Sequence, residues 1–427
     1  MSVPQKDKLT VLTLGGGGRE AALVRRFAAC DSCGAQYAAP GNASTALFAG
    51  NISLDINDGE AVAVVCRLLA VDFLMIGPEA PLAAGVADTV RRLCPDTAVL
   101  GPGADGARLE SSKAFAKAFM RRHGIPTAPA TVVKADNIAE AKDLFARCEW
   151  PIVLKADGLC GGKGSIIVRD RKEAEQTLRR MLGGQFGDAS RTVVIEDFLR
   201  GRECSVFVVT DGANHLVLPA ARDYKRACDG DRGPNTGGMG AVSPVPGLTA
   251  EFLEKVEQRI TLPTLAGLRA EGVAYRGILY LGLISVGGEP YVLEYNVRLG
   301  DPETAVVLPR TGGDALRAFY DAACGRMESV YLPPSNDAAV AVIRAAEGYP
   351  GPVRNGLPVV VGALPQDAYV LLGGAVTGQD GALLTAAGRV ATAVAVAPDI
   401  ATAAARAARA AEAVAFAGAH NRTDIGR

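Results

Sequence analysis

KADGLCGGKG, at residues 155–164, is a glycine-rich segment enclosed by the apolar runs PIVL and SIIV. Its glycines permit positive φ angles and close backbone approach, so their amides can surround an anion while the lysines supply positive charge. The residues concerned are Gly161, Gly162 and Gly164 with Lys155 and Lys163. The segment is not a Walker loop, because a strand-like run follows its second lysine where a helix would be needed. A β-hairpin turn with solvated lysines and a phosphate-binding loop both remain open, and the clustering favours phosphate.

A second polar pattern, IEDFLRGRE, occupies residues 195–203. Backbone groups at the end of a strand suit the edge of a purine, and a carboxylate seven residues after Glu196, at Glu203, can accept hydrogen bonds from both hydroxyls of a ribose. Either acid taken singly is equally well explained as a surface residue. The pair indicates a nucleotide.

A third pattern, YVLEYNVRLGDPE, occupies residues 291–303. In a strand, Glu294, Asn296 and Arg298 lie on one face with a period of two. A carboxylate, an amide oxygen and a guanidinium side by side can hold Mg²⁺ and the phosphate oxygens that it bridges. Because the intervening residues are apolar, an amphipathic strand with an exposed polar face is the alternative.

The amino-terminal segment TLGGGGREAALVRRF, at residues 13–27, lies between a strand-like and a helix-like run, as a glycine-rich ligand loop requires. A dinucleotide-binding loop also needs an acidic residue at the end of the next strand, where this sequence has Pro40-Gly41-Asn42. A nicotinamide cofactor is therefore disfavoured. Two interpretations remain, a tight turn in an open α/β sheet, or Arg19 and Glu20 facing a small polar substrate.

The first hundred residues alternate strand-like runs, at 9–14, 36–39, 73–76 and 98–100, with helix-like runs. This pattern predicts a doubly wound parallel sheet whose loops gather at one edge, which makes Glu79 a substrate-side candidate. A basic helix is predicted from Ser111 to about Pro126. Further predicted elements are strands at 151–157, 165–170 and 192–199, a helix at 171–182, an antiparallel-rich region at 203–310 and an alanine-rich helix within 401–417.

The charge of this 427-residue chain is nearly balanced, with 45 Lys plus Arg against 46 Asp plus Glu, so it has no general attraction to nucleic acid or anionic membranes. Its amino terminus lacks the apolar core of a signal peptide, and no apolar run is long enough to span a bilayer. Nine scattered cysteines indicate reduced thiols, and three isolated histidines argue against a zinc site or a histidine base. We therefore expect a cytoplasmic protein that acts on small molecules, without nucleic-acid or membrane partners, as a monomer or weak homo-oligomer.

In this order, the three polar patterns resemble the ATP-grasp fold, in which ATP lies between two α+β halves. Eight motifs are similar to those of the glycinamide ribonucleotide synthetase family: GGGGRE, APGNAST, GPEAPLAAGV, LESSKAFAKAFMRRHGIPTA, KADGLCGGKG, GPNTGGMGAVSP, NVRLGDPE and RTDIG. The resemblance extends over residues 9–427, and PNTGGMGA is highly specific to the family. It implies an α/β and α+β architecture, an ATP-grasp fold with an N-terminal doubly wound parallel-sheet domain and a small C-terminal β-rich domain.

The resemblance further implies five segments along the chain. These are a substrate-side α/β domain at 1–108, a connecting helix at 109–128, a small lid subdomain of the ATP-grasp unit at 129–200, a large subdomain with the metal site at 201–330, and a C-terminal domain at 331–427.

Site residues also follow from the resemblance, position by position. It implies catalytic roles for Lys225, Arg298 and Asp301, and metal ligation by Glu294 and Asn296. It implies ATP binding by Lys113, Lys155, Gly161, Gly162, Lys163, Gly164, Glu196, Leu199 and Glu203. It implies substrate binding by Gly17, Arg19, Glu20, Glu79, Asp223, Asn235, Thr236, Gly237, Gly238 and Met239.

The implied chemistry needs no side-chain nucleophile. The carboxylate of glycine attacks the γ-phosphorus of ATP, and the amine of 5-phosphoribosylamine then displaces phosphate from the acyl phosphate to form an amide. The protein would contribute positioning, charge neutralisation together with Mg²⁺ or Mn²⁺, and exclusion of water by the glycine loop.

The sequence departs from the family pattern at places expected to shape the substrate pocket. Ala21 and Tyr224 each stand where the family has histidine, and Leu372–Ala375 replaces H-A-G-T. Three hypotheses follow: the purine-pathway ligase itself, a ligase of the same chemistry that uses another amine or amino acid in a specialised pathway, and a nucleotide-binding protein without turnover. Glu294 and Asn296 argue against the third, because binding alone does not require a metal pair.

Overall fold

The amino-terminal region contains five strands, β1 (Leu9–Gly15), β2 (Cys33–Pro40), β3 (Gly50–Asn51), β4 (Phe73–Ile76) and β5 (Ala98–Leu100). The computed structural model describes residues 6–427, except for the side chain of Asn137. The strands pair in parallel in the order β3-β2-β1-β4-β5, which confirms the predicted doubly wound sheet. Strands β4 and β5 are buried throughout, as uninterrupted apolar runs in a parallel sheet should be.

Helices cover both faces of this sheet. They are α1 (Gly18–Ala28), α2 (Gly59–Leu68), α3 (Glu79–Ala83), α4 (Val86–Leu93) and α5 (Ala104–Ser111). Successive strand residues point to opposite faces, so Val11 packs in the cluster that contains α1, whereas Leu12 packs in the cluster that contains α2 and α4. The loop before α1 and the start of α3 therefore follow adjacent strands, β1 and β4, at their carboxyl ends.

The predicted basic helix begins later than its sequence suggests. Helix α6 covers Lys113–Arg122, and Ser112 before it is extended, with φ −140° and ψ 109°. The Ser112 hydroxyl accepts a hydrogen bond from the amide of Phe115 at 3.1 Å and so caps the helix. The segment 109–128 thus holds the end of α5 and the whole of α6, two helices separated by a cap.

A four-stranded antiparallel sheet forms the next unit, in the order β6-β9-β7-β8. Its elements are β6 (Ala130–Lys134), α7 (Ile138–Arg147), β7 (Ile152–Ala156), β8 (Ser165–Val168), α8 (Arg171–Arg180) and β9 (Thr192–Asp197). The glycine-rich segment 155–164 connects the paired strands β7 and β8. The predicted strands and helix of this region are confirmed.

The region after β9 is rich in antiparallel pairs, as predicted. Its strands are β10 (Arg202–Thr210), β11 (His215–Asp223), β12 (Arg226–Cys228), β13 (Arg232–Asn235), β14 (Gly240–Ser243), β15 (Gly277–Val286) and β16 (Glu289–Asn296). Its helices are α9 (Ala250–Val256), α10 (Leu262–Ala270), α11 (Thr304–Val307) and α12 (Ala315–Cys324).

The last region contains the strands β17 (Ala338–Ala345), β18 (Val360–Val361), β19 (Ala368–Leu371), β20 (Ala375–Thr377), β21 (Leu383–Thr385), β22 (Arg389–Ala397) and β23 (Val414–Ala415), with helix α13 (Ile400–Glu412). An eight-stranded sheet, β16-β15-β10-β11-β14-β17-β22-β19, joins it to the preceding region. The sheet continues across residue 330, where the sequence places a domain boundary, because β14 pairs with β17. Short 3-10 and π turns lie between the named elements.

Candidate active site

The end of β16 carries the first group of candidate residues. Glu294 and Asn296 belong to the strand, and Arg298 follows it. The Arg298 guanidinium donates to Asn296 Oδ1 at 3.1 Å, to Glu110 Oε1 at 2.6 Å and to Glu79 Oε2 at 3.2 Å. Burial disfavours a charged guanidinium, but the two carboxylates outweigh it and raise the pKa of Arg298. Arg298 is therefore a fixed positive charge next to the side-chain oxygen of Asn296.

Lys225 lies at the centre of a second group. Its Nζ is 3.6 Å from Glu203 Oε2, 3.8 Å from Glu294 Oε1 and 4.0 Å from Asp223 Oδ2. Burial and the surrounding carboxylates raise the pKa of Asp223 although Lys225 opposes them, and Asp223 above all raises the pKa of Lys225. This geometry links candidates for ATP binding, metal binding and catalysis that lie far apart in sequence.

Glu196, at the end of β9, is buried between two lysines. Its Oε2 is 3.0 Å from Lys155 Nζ and 3.1 Å from Lys117 Nζ, and Lys155 also donates to the Leu293 carbonyl at 2.9 Å. Its Oε1 is buried and has no hydrogen-bond partner among the described residues. A buried acceptor of this kind fits a donor group on a ligand.

Other ATP-binding candidates surround the same strand ends. Lys113 donates from Nζ to the Gly158 carbonyl at 3.2 Å. Leu199 is half-buried after β9, and Glu203 is exposed near the start of β10. Lys113 thus contacts the glycine-rich segment directly, and Glu203 belongs to the group around Lys225.

The glycine-rich loop connects the paired strands β7 and β8 and packs against two other segments of the chain. Gly161 and Gly162 have φ of +55° and +78°, as their predicted freedom allows. A Cβ on Gly162 would lie 3.3 Å from the Thr236 carbonyl oxygen, and one on Gly164 would lie 2.8 Å from the Cys160 Cβ. Lys163 donates from Nζ to the Pro350 carbonyl at 2.7 Å. The loop therefore rests against the 235–239 segment and against the last region of the chain.

A cavity of about 390 Å³ lies below this loop. Its lining includes Gly17, Gly18, Lys163, Gly237, Asp301 and Arg389. The Arg389 guanidinium donates to the Gly237 carbonyl at 2.5 Å and the Asp301 carbonyl at 2.7 Å, and lies 3.2 Å from Asp301 Oδ1. Burial opposes ionisation of Asp301, but Arg389 and Arg19 outweigh it and lower its pKa. Two cations and glycine backbone thus line a cavity of small-molecule size.

Arg19 and Glu20 are buried in the first turn of α1, directly after the amino-terminal glycine loop. Arg19 Nε lies 2.6 Å from Glu20 Oε1, and Glu20 Oε2 accepts from the Gly17 amide at 2.8 Å. The backbone amide of Arg19 donates to Asp301 Oδ2 at 3.2 Å. Both side chains hold the loop in shape, and Glu20 is only 1% exposed.

The 235–239 segment forms a tight turn beside Lys225. The Thr236 amide donates to the Lys225 carbonyl at 2.8 Å, and the Gly238 amide donates to the Thr236 hydroxyl at 2.9 Å. Asn235 is half-buried, with its amide nitrogen 3.4 Å from the Ser165 carbonyl. Met239 is fully buried against Ile343, so its side chain does not line the cavity.

Two departures from the family pattern face hydrophobic core and not the cleft. Ala21 is 1% exposed and packs in the cluster that contains Leu299. Tyr224 is buried in the cluster that contains α13, and its hydroxyl accepts from the Gly426 amide at 3.0 Å. Neither side chain lines the cavity beneath the glycine loop, and an effect of these departures on the substrate pocket stays a prediction. In the third departure, at residues 372–375, Gly373 lines the cavity.

Several residues that complete the site received no role from the sequence. Glu110 and Glu303 stand in the motifs LESSK and GDPE, and the structure shows that Glu110 holds Arg298 and that Glu303 accepts from Tyr280 at 2.6 Å. Lys117, which pairs with Glu196, lies in the same basic motif as Lys113. Motif membership could have drawn attention to these three. Arg389 likewise stands in AGRVA at residues 387–391, which resembles the family's G-G-R-V-L. No such signal marks Tyr349, whose hydroxyl accepts from the Gly237 amide at 2.9 Å.

Two negative findings concern the part of the chain that the structure describes. Within residues 6–427, no three His, Cys, Asp or Glu residues are grouped so that they could hold a metal ion. Among the same residues, no helix has the length and apolar character needed to cross a membrane. A metal at Glu294 and Asn296 would therefore need further oxygen ligands from a substrate.

Comparison with known proteins covers nearly the whole chain. Models of the phosphoribosylglycinamide synthetase N domain, ATP-grasp (A) domain and C domain match residues 9–110, 111–304 and 339–427. A phosphoribosylamine–glycine ligase of Chlorobaculum tepidum is 41% identical over 98% of this chain and 99% of its own. Another, from Ralstonia nicotianae, is 41% identical over 98% of this chain and 99% of its own.

Solved structures show the same relationship. A phosphoribosylamine–glycine ligase from Thermotoga maritima matches with a TM-score of 0.83 and 36% identity, over 97% of this chain and 100% of that one. The biotin carboxylase domain of a Hydrogenobacter thermophilus 2-oxoglutarate carboxylase matches with a TM-score of 0.74 and 18% identity, over 97% and 92% of the two chains, and shares the fold. The predicted ATP-grasp fold is confirmed, and the chain belongs to the phosphoribosylglycinamide synthetase family.

Proposed function

We propose that this protein joins glycine to 5-phosphoribosylamine in an ATP-dependent reaction that yields glycinamide ribonucleotide, ADP and phosphate in purine biosynthesis. One observation carries the proposal: the cation of Lys225 lies beside Glu294, and that of Arg298 lies beside Asn296. Positive charge next to hard-oxygen ligands is what transfer of a phosphoryl group requires. The 41% identity to phosphoribosylamine–glycine ligases supports the choice of substrates.

The reaction has two steps in this proposal. A carboxylate oxygen of glycine bonds to the γ-phosphorus of ATP as the bond to ADP breaks, which gives an acyl phosphate. The amine nitrogen then bonds to the acyl carbon, phosphate leaves with the former carboxylate oxygen, and the nitrogen loses a proton. Lys225 and Arg298 stabilise the charge on the transferred group, and Asp301 keeps Arg389 and the amino-terminal glycine loop in place.

Glu294 and Asn296 fit a magnesium ion, because both offer hard oxygens and the substrate phosphates can supply the remaining ligands. Glu294 and Asn296 would hold the ion, which would neutralise negative charge on the phosphates during the transfer. Mn²⁺ accepts the same oxygen ligands. Lys225 Nζ lies 3.8 Å from Glu294 Oε1, so the positive charge of Lys225 is next to a proposed metal ligand.

ATP is assigned to the space beside Glu196. The unpartnered Oε1 of Glu196 fits the amino group of adenine, while Leu199 covers the base and Glu203 accepts from the ribose hydroxyls. Lys113, Lys155 and the loop residues Gly161, Gly162, Lys163 and Gly164 are assigned to the phosphates.

The amine substrate is assigned to the 390 Å³ cavity. Its phosphate fits between Lys163 and Arg389, next to the backbone of Gly17 and Gly18. Glu79, Asp223 and the turn at residues 235–238 are also assigned to substrate binding, and Met239 supports that turn from the core. Arg19 and Glu20 serve as the internal frame of the glycine loop.

The glycine-rich loop separates the reaction from solvent. Contact of Gly162 with the 235–239 segment and of Lys163 with Pro350 closes the cleft on two sides. An acyl phosphate hydrolyses in water, so this closure protects the intermediate. The nine cysteines are all free thiols, which fits the reducing environment of the cytoplasm.

The proposal is tested by ADP release with Mg²⁺ and ATP in the presence of glycine and phosphoribosylamine, generated from ribose 5-phosphate and ammonia. We expect turnover on the order of 1 to 10³ per second and a product with the mass of glycinamide ribonucleotide. Parallel reactions with other amines and amino acids test the specialised-pathway hypothesis. Product from one of these alone would overturn the substrate assignment, and absence of any amide product would overturn the proposed ligase function.

A further inference from the structure

The 420–426 segment, which contains the RTDIG motif, packs against residues 224–231 of the ATP-grasp unit. Arg422 is its centre, with a side chain only 1% exposed. Its guanidinium donates to the Arg226 carbonyl at 3.0 Å, to Asp231 Oδ1 at 2.9 Å and to both carboxylate oxygens of Asp424 at 2.7 and 2.8 Å. A buried guanidinium with this many partners fixes the backbone that it touches.

Further bonds extend the contact on both sides of Arg422. Thr423 binds the carboxylate of Asp229 through its amide at 2.9 Å and its hydroxyl at 2.5 Å, and Asp424 Oδ2 accepts from the Gly230 amide at 2.9 Å. The amide of Gly426 donates to the Tyr224 hydroxyl at 3.0 Å. The turn between β12 and β13 is therefore bound by side chains nearly two hundred positions away.

These contacts hold the residues immediately before and after Lys225. Tyr224, immediately before it, is held through its hydroxyl, and Arg226, immediately after it, is held through its carbonyl. The Lys225 carbonyl in turn accepts from the amide of Thr236, which begins the turn beside the cavity. The side chain of Lys225 points to the opposite side, toward Glu203, Asp223 and Glu294.

From this arrangement we infer that Arg422 is a positioning residue for Lys225, through which the 420–426 segment sets the geometry of the phosphoryl-transfer site. Arg422 touches neither the cavity lining nor the carboxylates around Lys225, so its effect passes through the backbone of residues 224–226. The effect of Arg422 on catalysis rests on the proposed function, whereas its effect on the backbone of residues 224–226 rests on the contacts alone.

Two measurements on the full chain test it. The first measures hydrogen exchange of backbone amides, without ligands, in the wild type and in Arg422→Lys. This substitution keeps the positive charge but loses the planar guanidinium group. We expect about tenfold faster exchange of amides in 224–239, with the amides of α2 unchanged, because bonds to a charged group are lost. The matched control is Arg406→Lys in the same region, whose partner Asp367 is exposed.

The second measurement is a double-mutant cycle in the ligase assay. Arg422→Lys is expected to lower kcat about 10- to 100-fold with the KM for ATP changed less than about twofold, since misplacement by 1 Å can cost about 100-fold. In a Lys225→Met background the same change should lower kcat less than about twofold. Tyr224→Phe, which removes one hydroxyl, gives a milder variant that should lower kcat in the same direction.

Unchanged exchange at 224–239, or fully additive losses of kcat, would overturn the inference. A wild-type protein that forms no amide would overturn the proposed function instead, and the exchange experiment would still decide whether Arg422 holds residues 224–239.

Discussion

Nη2 of Arg298 lies 2.6 Å from Oε1 of Glu110, a residue 188 positions earlier in the chain. The other carboxylate oxygen of Glu110 accepts from the Val297 amide at 2.8 Å, so helix α5 fixes both the side chain and the backbone at the end of β16. Burial raises the pKa of Glu110 even though Arg298 opposes this. Helix α5 therefore orients a cation that stands beside the proposed metal ligands.

Replacement of Glu110 by Gln is expected to lower kcat about 10- to 100-fold, because Arg298 keeps its place less well when one buried carboxylate loses its charge. The free energy of unfolding should fall by about 1–3 kcal/mol. Steady-state kinetics and urea unfolding measure the two effects. Glu60→Gln, at an exposed position in α2, serves as the control, and an equal loss in that variant would count against the role of Glu110.

Removal of the positive charge at Lys225 should act on the chemical step. Lys225→Met is expected to lower kcat by about 10²–10³-fold, since a cation that stabilises transition-state charge is lost. The KM for ATP should change much less. The comparison is Lys172→Met on the exposed face of α8. A variant that keeps full kcat would show that Lys225 only balances its carboxylate neighbours.

Glu196→Gln should affect nucleotide binding. The change leaves Lys117 and Lys155 without their shared carboxylate and alters the free acceptor Oε1, so we expect the KM for ATP to rise about 10-fold. Isothermal titration with ATP and Mg²⁺ measures the same loss directly. Glu149→Gln, an exposed acid before β7, is the control. Unchanged ATP affinity would move the adenine site elsewhere.

The cavity beneath the glycine loop predicts an effect of Gly373→Ala. A Cβ at this position would lie 2.3 Å from the backbone nitrogen of Gly18, so the amino-terminal loop must move. We expect the KM for phosphoribosylamine to rise about 10-fold or more, with ATP binding retained. Gly183→Ala is the control, because a methyl group at that position would meet nothing within 4 Å. Equal KM values in the two variants would contradict the placement of the amine.

Lys117 gives a prediction about pH. Burial, opposed by Glu196 and reinforced by Lys155, lowers its pKa from 10.5 to about 8. The unfolded chain therefore binds more protons between these two pH values, so the contribution of Lys117 to the free energy of unfolding rises with pH across this range. The difference in this free energy between wild type and Lys117→Met should be constant below about pH 8 and should increase toward pH 10.5. A flat difference would show that the pKa of Lys117 is not lowered in the folded protein.

Local patterns predicted the parts of the site that lie within one element. The period of two in β16 placed Glu294 and Asn296 together, and the glycines of 155–164 predicted a loop with positive φ. Tyr224 lies in the connection between β11 and β12 and packs in the core, while its neighbours Asp223 and Lys225 belong to the acidic cluster. A comparison of motifs alone assigns Tyr224 to the pocket, because a motif does not show which side of the chain each residue faces.

Contacts between distant segments could not be predicted in the same way. Glu110 with Arg298, Lys117 with Glu196, and Arg389 with Gly237 join residues from different units of the fold. Each contact depends on how two units pack, which no spacing within one segment encodes. The motifs could indicate that some of these residues matter, but only the folded arrangement shows their partners.

The most direct test of the proposed mechanism follows the carboxylate oxygens of glycine. Glycine labelled with ¹⁸O in both carboxylate oxygens is supplied with ATP, Mg²⁺ and phosphoribosylamine, and the released phosphate is analysed by mass spectrometry. If glycine is activated as an acyl phosphate, each phosphate carries one ¹⁸O atom and one remains in the amide. Phosphate without label, formed together with the amide product, would contradict this mechanism.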